Sequence, residues 1–148
     1  ELPNGIEKLQ LITWHKSLGM LVLLLALVRI GWKFANRGLP GPVGKSWQRK
    51  AAVATHGLLY LLILAQPLSG WLMSSAANYP VTLFGWFQFP ALIGENHALH
   101  EALEEVHELL FTLMLIVAAV HIAAALYHHF ILRDSVLRRM LPFARRDQ

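Results

Sequence analysis

The stretch LVLLLALV, residues 21–28, decides the fold. Two further stretches have the same uninterrupted apolar character, LLYLLILA at 58–65 and LMLIVAAV at 113–120. A bilayer core of about 30 Å needs roughly 20 mainly apolar residues in a helix, so extending each stretch outward predicts membrane-spanning helices over about 9–34, 47–74 and 105–132. The sequence therefore predicts an all-α fold, an integral membrane helix bundle, with one domain over residues 1–148.

The composition of the whole chain agrees with a membrane protein. Of its 148 residues 55% are hydrophobic and 15% are charged, which is too apolar for a soluble domain of this size. The chain has no cysteine, which excludes disulfides, thiolate metal sites, iron–sulfur clusters and covalent haem attachment through a Cys-x-x-Cys-His motif. Any bound metal must use other ligands, and eight histidines are present.

The distribution of basic residues predicts the orientation in the membrane. Five basic residues lie in or beside the 35–46 connection and five in the C-terminal segment, whereas the 76–103 connection has no Lys or Arg: Lys33, Arg37, Lys45, Arg49, Lys50, and Arg133, Arg138, Arg139, Arg145, Arg146. Because cytoplasmic loops carry the excess of Lys and Arg, we expect the 35–46 loop and the C-terminus in the cytoplasm and the aromatic 76–103 loop in the periplasm. The net charge of +4 thus reflects topology and not nucleic-acid binding.

This orientation puts the N-terminus outside. The sequence starts at Glu1 without a methionine or a signal peptide, and we expect one further transmembrane helix before Glu1, which would give a four-helix bundle with both ends inside. The alternative is a three-span protein inserted with its N-terminus outside.

The histidines are the informative residues of the spans. His15 is followed by Gly19 one turn later, which leaves room for a flat group beside the helix. His107 and His121 are 14 residues apart, so they share a helix face at depths that differ by roughly 21 Å. His15 and His107 both lie towards the outer side, where two helices offer one imidazole each to a single iron. His121 lies towards the inner side among alanines, and its partner is either His56 or a histidine of the expected upstream helix.

Two neutral imidazoles on facing helices suit bis-histidine haem ligation. An intramembrane histidine can instead hydrogen-bond to a neighbouring helix, but three at matched depths favour haem. Arg29 pairs with a haem propionate or extends to the lipid headgroups. His128 and His129, in the inner headgroup zone, bind propionates, relay protons, contact a quinone or simply add interfacial polarity.

Other polar residues are less specific. Gln66 needs a partner in the membrane, a cofactor edge or a neighbouring helix. His97 and His100 lie among glutamates but form no His-Glu-x-x-His motif, and we expect them at a solvated helix entrance.

Several motifs together resemble the bacterial cytochrome b561 family. They are WHKSLG at 14–19, HGLLYLL at 56–62, QPLSGW at 66–71, the spacing of His107 and His121, and HHFILRD at 128–134. The resemblance implies a four-helix bundle of the bacterial inner membrane with two b-type haems, and some members pass electrons from superoxide to ubiquinone. It places His15, His107 and His121 on three of the four family ligands. The fourth precedes a tryptophan in a first helix that this sequence lacks, whereas His56 matches a non-ligand histidine, so the resemblance favours the upstream helix as the source of the partner of His121.

Three functions remain as hypotheses. The first is a membrane di-haem cytochrome that exchanges single electrons with the quinone pool, in its sharpest form a superoxide:ubiquinone oxidoreductase. Superoxide is an anion, and five glutamates near the outer surface are offset chiefly by Lys8 and Lys16: Glu95, Glu101, Glu104, Glu105 and Glu108. A neutral donor or a protein donor is therefore also open.

The second hypothesis is a haem-bearing anchor subunit that couples a dehydrogenase or hydrogenase to quinone. The third is a haem-free transporter or assembly factor. The sequence identifies no catalytic residue, and small residues on lipid-facing sides would allow a homodimer.

Overall fold

Three long helices and one short hairpin make up the part of the protein that the structure describes. The computed structural model describes residues 5–36 and 46–131. In chain order the elements are α1 (Ile6–Ala35), α2 (Ser46–Ala76), β1 (Val81–Leu83), β2 (Phe87–Phe89) and α3 (His97–Phe130). All three helices are long and apolar enough to cross a membrane, which confirms the predicted all-α membrane helix bundle.

Helix α3 begins earlier than the third predicted span. The side chain of Asn96 accepts a hydrogen bond of 3.0 Å from the amide of Leu99, and this N-cap satisfies a helix-end donor that would otherwise lack a partner. The helix therefore starts at His97, whereas the hydropathy pattern placed the start of the span near residue 105. Its first turns carry the glutamates and extend beyond the apolar stretch.

Helix α2 lies at the centre of the arrangement. Both α1 and α3 pack against it, and within residues 5–36 and 46–131 the backbones of α1 and α3 do not approach each other closely. A cleft therefore separates α1 from α3, and α2 forms its floor. Most large apolar side chains of the three helices point outward, as lipid-facing residues do.

The connection between α2 and α3 folds into a β-hairpin. Val81 pairs with Phe89 and Leu83 with Phe87 in an antiparallel register. Three residues, 84–86, lie between the strands. The amide of Trp86 donates to the carbonyl of Leu83 at 3.0 Å. The two central residues of this turn, Phe84 and Gly85, have φ values of 52° and 76°, and positive φ at both central positions gives a turn that matches the twist of the flanking strands. The sequence predicts an aromatic connection here, and its two strands are seen only in the structure.

The hairpin packs on one end of α1. Ser17 is fully buried. Its hydroxyl donates to the carbonyl of Thr82 at 2.9 Å and accepts from the amide of Phe84 at 3.0 Å. The Trp14 and Phe84 rings meet edge to face with centroids 5.6 Å apart. We call this end of the bundle the hairpin end and the opposite end, where α1 and α3 finish and α2 begins, the far end.

A small apolar core joins the hairpin to the helices. Met20 and Leu23 of α1 and Val81 of β1 are buried together, and half-buried side chains of α2 and the hairpin pack around them: Leu64, Trp71, Leu83 and Phe89. This core lies next to the cleft and fixes the spacing between α1 and α2 at the hairpin end.

Candidate functional site

Two histidines face each other across the cleft near the hairpin end. The rings of His15 on α1 and His107 on α3 have centroids 6.2 Å apart and planes inclined by 85°. An iron bound by two imidazoles through bonds of about 2 Å separates the ring centres by roughly 6 Å. The separation of this pair, which we call the hairpin-end pair, therefore fits one metal between two axial ligands.

A cavity of about 320 Å³ adjoins the hairpin-end pair. Besides the two histidines its lining includes Gly19, Gly70 and Trp71. A side chain at Gly19 would meet no atom within 4 Å, so α1 presents bare backbone to open space at this point. The open space beside the helix at Gly19, one turn after His15, is therefore present.

Three residues of helix α2 contact the ring of His107. The Nδ1 atom of His107 lies 2.9 Å from the hydroxyl of Ser69, and its Nε2 atom lies 3.1 Å from the side-chain nitrogen of Gln66. The ring also packs on Gly70, where an added Cβ would lie only 3.0 Å from Cε1 of His107. The imidazole thus rests on a seat made of three α2 residues.

Gln66 is poorly satisfied in this arrangement. Its side-chain oxygen is buried and has no hydrogen-bond partner among the described residues, and such a group costs about 1–3 kcal/mol. Its amide nitrogen contacts the ring nitrogen of His107 that would bind a metal. A metal at Nε2 would displace the one hydrogen bond that the side chain of Gln66 makes among the described residues, and the seat can then hold a bound haem iron.

A second histidine pair lies further along the cleft. The rings of His56 on α2 and His121 on α3 have centroids 5.3 Å apart and planes inclined by 69°. We call them the far pair. Ala125, one turn after His121, is buried. The structure thus brings His56 to His121, one of the two partners left open by the residue pattern.

Arg29 and Lys33 gather around one tyrosine at the far end. The Nε atom of Arg29 donates to the hydroxyl of Tyr60 at 3.2 Å, and the Nζ atom of Lys33 lies 4.6 Å from the centre of the Tyr60 ring. The sequence predicts a haem propionate or the lipid headgroups as the partner of Arg29, and Tyr60 is a partner that only the structure shows. The contact places two positive charges on the side of the bundle that carries the far pair.

The remaining histidines divide into two groups. His128 and His129 occupy the last turn of α3, where their rings meet the neighbouring Tyr127 and Phe130 edge to face. His97 is exposed beside Glu101. His100 departs from the expectation of a solvated entrance, because it is half-buried, lines the cavity and has its Nδ1 atom 3.1 Å from the carbonyl of Met73.

Ser69, like Tyr60, is a site residue that the spacing along a single helix does not predict. A serine in an apolar helix is common, and nothing in the spacing of α2 alone shows that it meets a histidine of α3. Gln66 was expected to find a cofactor edge or a neighbouring helix, and the structure shows the neighbouring helix.

Comparison with known proteins agrees with this geometry. The sequence pattern of the family described as prokaryotic cytochrome b561 matches residues 2–143. Cytochrome b561 homolog 2 of Escherichia coli is 36% identical over 86% of this chain and 68% of its own length. The probable superoxide oxidase CybB of Yersinia pestis is 31% identical over 86% of this chain and 73% of its own length, and cytochrome b562 of Cereibacter sphaeroides is 32% identical over 86% and 65%. With a histidine pair suited to an iron in an apolar cleft, these matches show that the chain belongs to the prokaryotic cytochrome b561 family of membrane electron-transfer proteins, which use haem b.

Proposed function

We propose that this protein carries single electrons between a donor at the hairpin end and ubiquinone, through haem b held between His15 and His107 and a second haem held by His121. The observation that carries the proposal is the separation of 6.2 Å between the two rings of the hairpin-end pair. It supports His15 of α1 and His107 of α3 as the two residues that would hold one haem iron.

The residues of this chain would hold and shield the haem. Bound haem supplies reversible one-electron oxidation and reduction. His15 and His107 would both hold the iron, and a haem held by two histidines would transfer electrons and would not bind small ligands. Gly19 would let the group approach the backbone of α1, and the apolar core beside the cleft would keep water away. Arg29 and Lys33 supply positive charge for propionates at the far end.

Within this class, superoxide is the donor we favour. One observation supports it beyond the name of the Yersinia pestis relative. Lys16 lines the cavity, with its Nζ atom 3.4 Å from the carbonyl of Pro80 and 5.3 Å from the centre of the Tyr79 ring. A fixed cation at the mouth of the cavity attracts an anion locally, although the glutamates on the first turns of α3 oppose it from further away.

The proposal is tested by counting haem and following quinone reduction in the full-length protein in membranes. We expect two low-spin b haems per chain in the unsubstituted protein, and loss of one in both His15→Ala and His107→Ala. His97→Ala is the matched control, because this exposed histidine contacts only Glu101 among the described contacts. Absence of haem from the unsubstituted protein, or an equal loss in the control, would overturn the proposal.

The donor is tested separately through Lys16. Superoxide-driven reduction of ubiquinone should fall in Lys16→Gln and lose part of its dependence on ionic strength, because a steering charge acts on the association rate and is screened by salt. Lys50→Gln is the control, because this exposed lysine lies near the start of α2, at the far end of the bundle. No quinone reduction above spontaneous dismutation in the unsubstituted protein would exclude superoxide as the donor and leave the haem assignment standing.

A second candidate is a haem-bearing anchor for a redox partner protein. The observation that favours it is the tip of the hairpin, where Trp86 is 94% exposed and Phe87 is exposed beside it. Exposed aromatic residues are typical of protein contacts as well as of the membrane interface. Stoichiometric co-purification of a dehydrogenase or hydrogenase that is lost in Trp86→Ser would support this candidate.

A further inference from the structure

We propose that Ser69 is a positioning residue that fixes the proton of His107 on Nδ1 and so presents Nε2 to the iron. The inference rests on the proposed function and deepens it, because it assigns the residue that decides how one axial ligand is oriented and how strongly it donates electrons.

The assignment follows from counting protons around Ser69. Its hydroxyl has a single hydrogen, and the Oγ atom lies 2.8 Å from the backbone carbonyl of Gln66 and 2.9 Å from Nδ1 of His107. A carbonyl oxygen can only accept, so the hydroxyl hydrogen goes to Gln66. Oγ then accepts from His107, which must carry its hydrogen on Nδ1.

This leaves the lone pair of His107 on Nε2. In agreement, Nε2 accepts a hydrogen bond of 3.1 Å from the side-chain amide of Gln66. The chain of bonds thus runs from the imidazole to Ser69 and on to a main-chain carbonyl, always in one direction. A hydroxyl that donates is polarised into a better acceptor, which increases the electron density on the imidazole.

Burial makes the arrangement selective. Ser69 is only 6% exposed, and His107 packs on the bare backbone of Gly70 immediately next to it. The hydroxyl of Ser69 and the Nδ1 atom of His107 satisfy each other without a water molecule. The imidazole ring cannot rotate by 180° without breaking its hydrogen bonds to Ser69 and Gln66. Hydrogen-bond partners of this type fix the tautomer of a metal-binding histidine, and removing one typically weakens metal binding by about 10-fold to 100-fold.

The test is Ser69→Ala in the full-length protein, studied by redox titration and by electron paramagnetic resonance of the oxidised haems. We expect a more positive midpoint potential and altered g values for the haem between His15 and His107, with the other haem unchanged, because a weaker electron donor stabilises ferric iron less. Binding of that haem should weaken about 10-fold or more. Ser69→Thr should restore the original values, since a threonine hydroxyl can also bond to a carbonyl of the preceding turn.

Ser75→Ala is the matched control. Ser75 is a buried serine of the same helix, and its hydroxyl also donates to a main-chain carbonyl, that of Trp71 at 2.9 Å. It should leave both potentials unchanged. The inference is overturned if Ser69→Ala retains the original potential and g values, or if both alanine variants lose the same haem. Absence of the haem from the unsubstituted protein would instead contradict the proposed function.

Discussion

The two histidine pairs of the cleft have different separations, and we expect them to behave differently. The rings of His15 and His107 stand 6.2 Å apart, which leaves room for an iron between them. Those of His56 and His121 stand 5.3 Å apart, about 1 Å too close for metal bonds of about 2 Å on both sides. The closer pair has the spacing of two aromatic rings in direct edge-to-face contact.

At the far pair, His56→Ala should therefore leave the haem count unchanged, whereas His121→Ala should remove one haem. The measurement is the reduced-minus-oxidised spectrum with haem counted per chain in the full-length protein. Loss of a haem from His56→Ala would assign the second axial ligand to His56 and contradict the assignment that the family resemblance implies.

Single residues also show what the sequence can and cannot predict about the site. His15, His107 and His121 could be selected from one helix at a time, because depth and face follow from residue spacing along a helix. Ser69 and Tyr60 could not, because their roles depend on which residue of another helix they meet. Spacing within one helix carries no information about that contact.

At the level of elements, the tight fit between α2 and α3 depends on one glycine. An added Cβ at Gly70 would lie 3.0 Å from Cε1 of His107, whereas one at Gly57 on the same helix would meet nothing within 4 Å. Both positions are interior to α2, where alanine is favoured over glycine by about 1 kcal/mol. Alanine at Gly70 and alanine at Gly57 should therefore have the same effect on the stability of the helix itself. Only alanine at Gly70 would press against the ring of His107.

We expect Gly70→Ala to weaken binding of the haem between His15 and His107 about 10-fold, because the ring must shift by a few tenths of an ångström away from Ser69. Gly57→Ala should bind it as tightly as the unsubstituted protein. Haem retention during dilution into haem-free detergent compares the two. Equal retention would show that the seat of His107 tolerates the extra methyl group.

The elements themselves differed in how well the sequence predicted them. The three helices follow from apolar runs of bilayer length. The hairpin was missed, although its turn residues Phe84 and Gly85 separate two short alternating segments, because strands of three residues are too short to show a periodicity against an aromatic background. The early start of α3 was missed because it depends on the cap at Asn96.

For the whole molecule, the distribution of basic residues predicts opposite sides of the membrane for the two ends of α2. The sequence has no cysteine, so single cysteines can report on each side. Trp86→Cys at the hairpin should react with a membrane-impermeant maleimide in intact spheroplasts. Arg49→Cys near the start of α2 should react only after the membrane is opened. The reverse pattern would invert the proposed orientation in the bacterial inner membrane.

The turn of the hairpin is a place where the chain could be divided into two fragments. A break between Gly85 and Trp86 would separate a fragment with α1, α2 and β1 from a fragment with β2 and α3. The hydrogen bonds of Ser17 with Thr82 and Phe84 stay within the first fragment. In that fragment β1 would therefore remain attached to α1. Each histidine pair, however, has one member on either fragment. Co-expressed halves would thus form a complementation system in which the visible colour of the haem reports their reassembly.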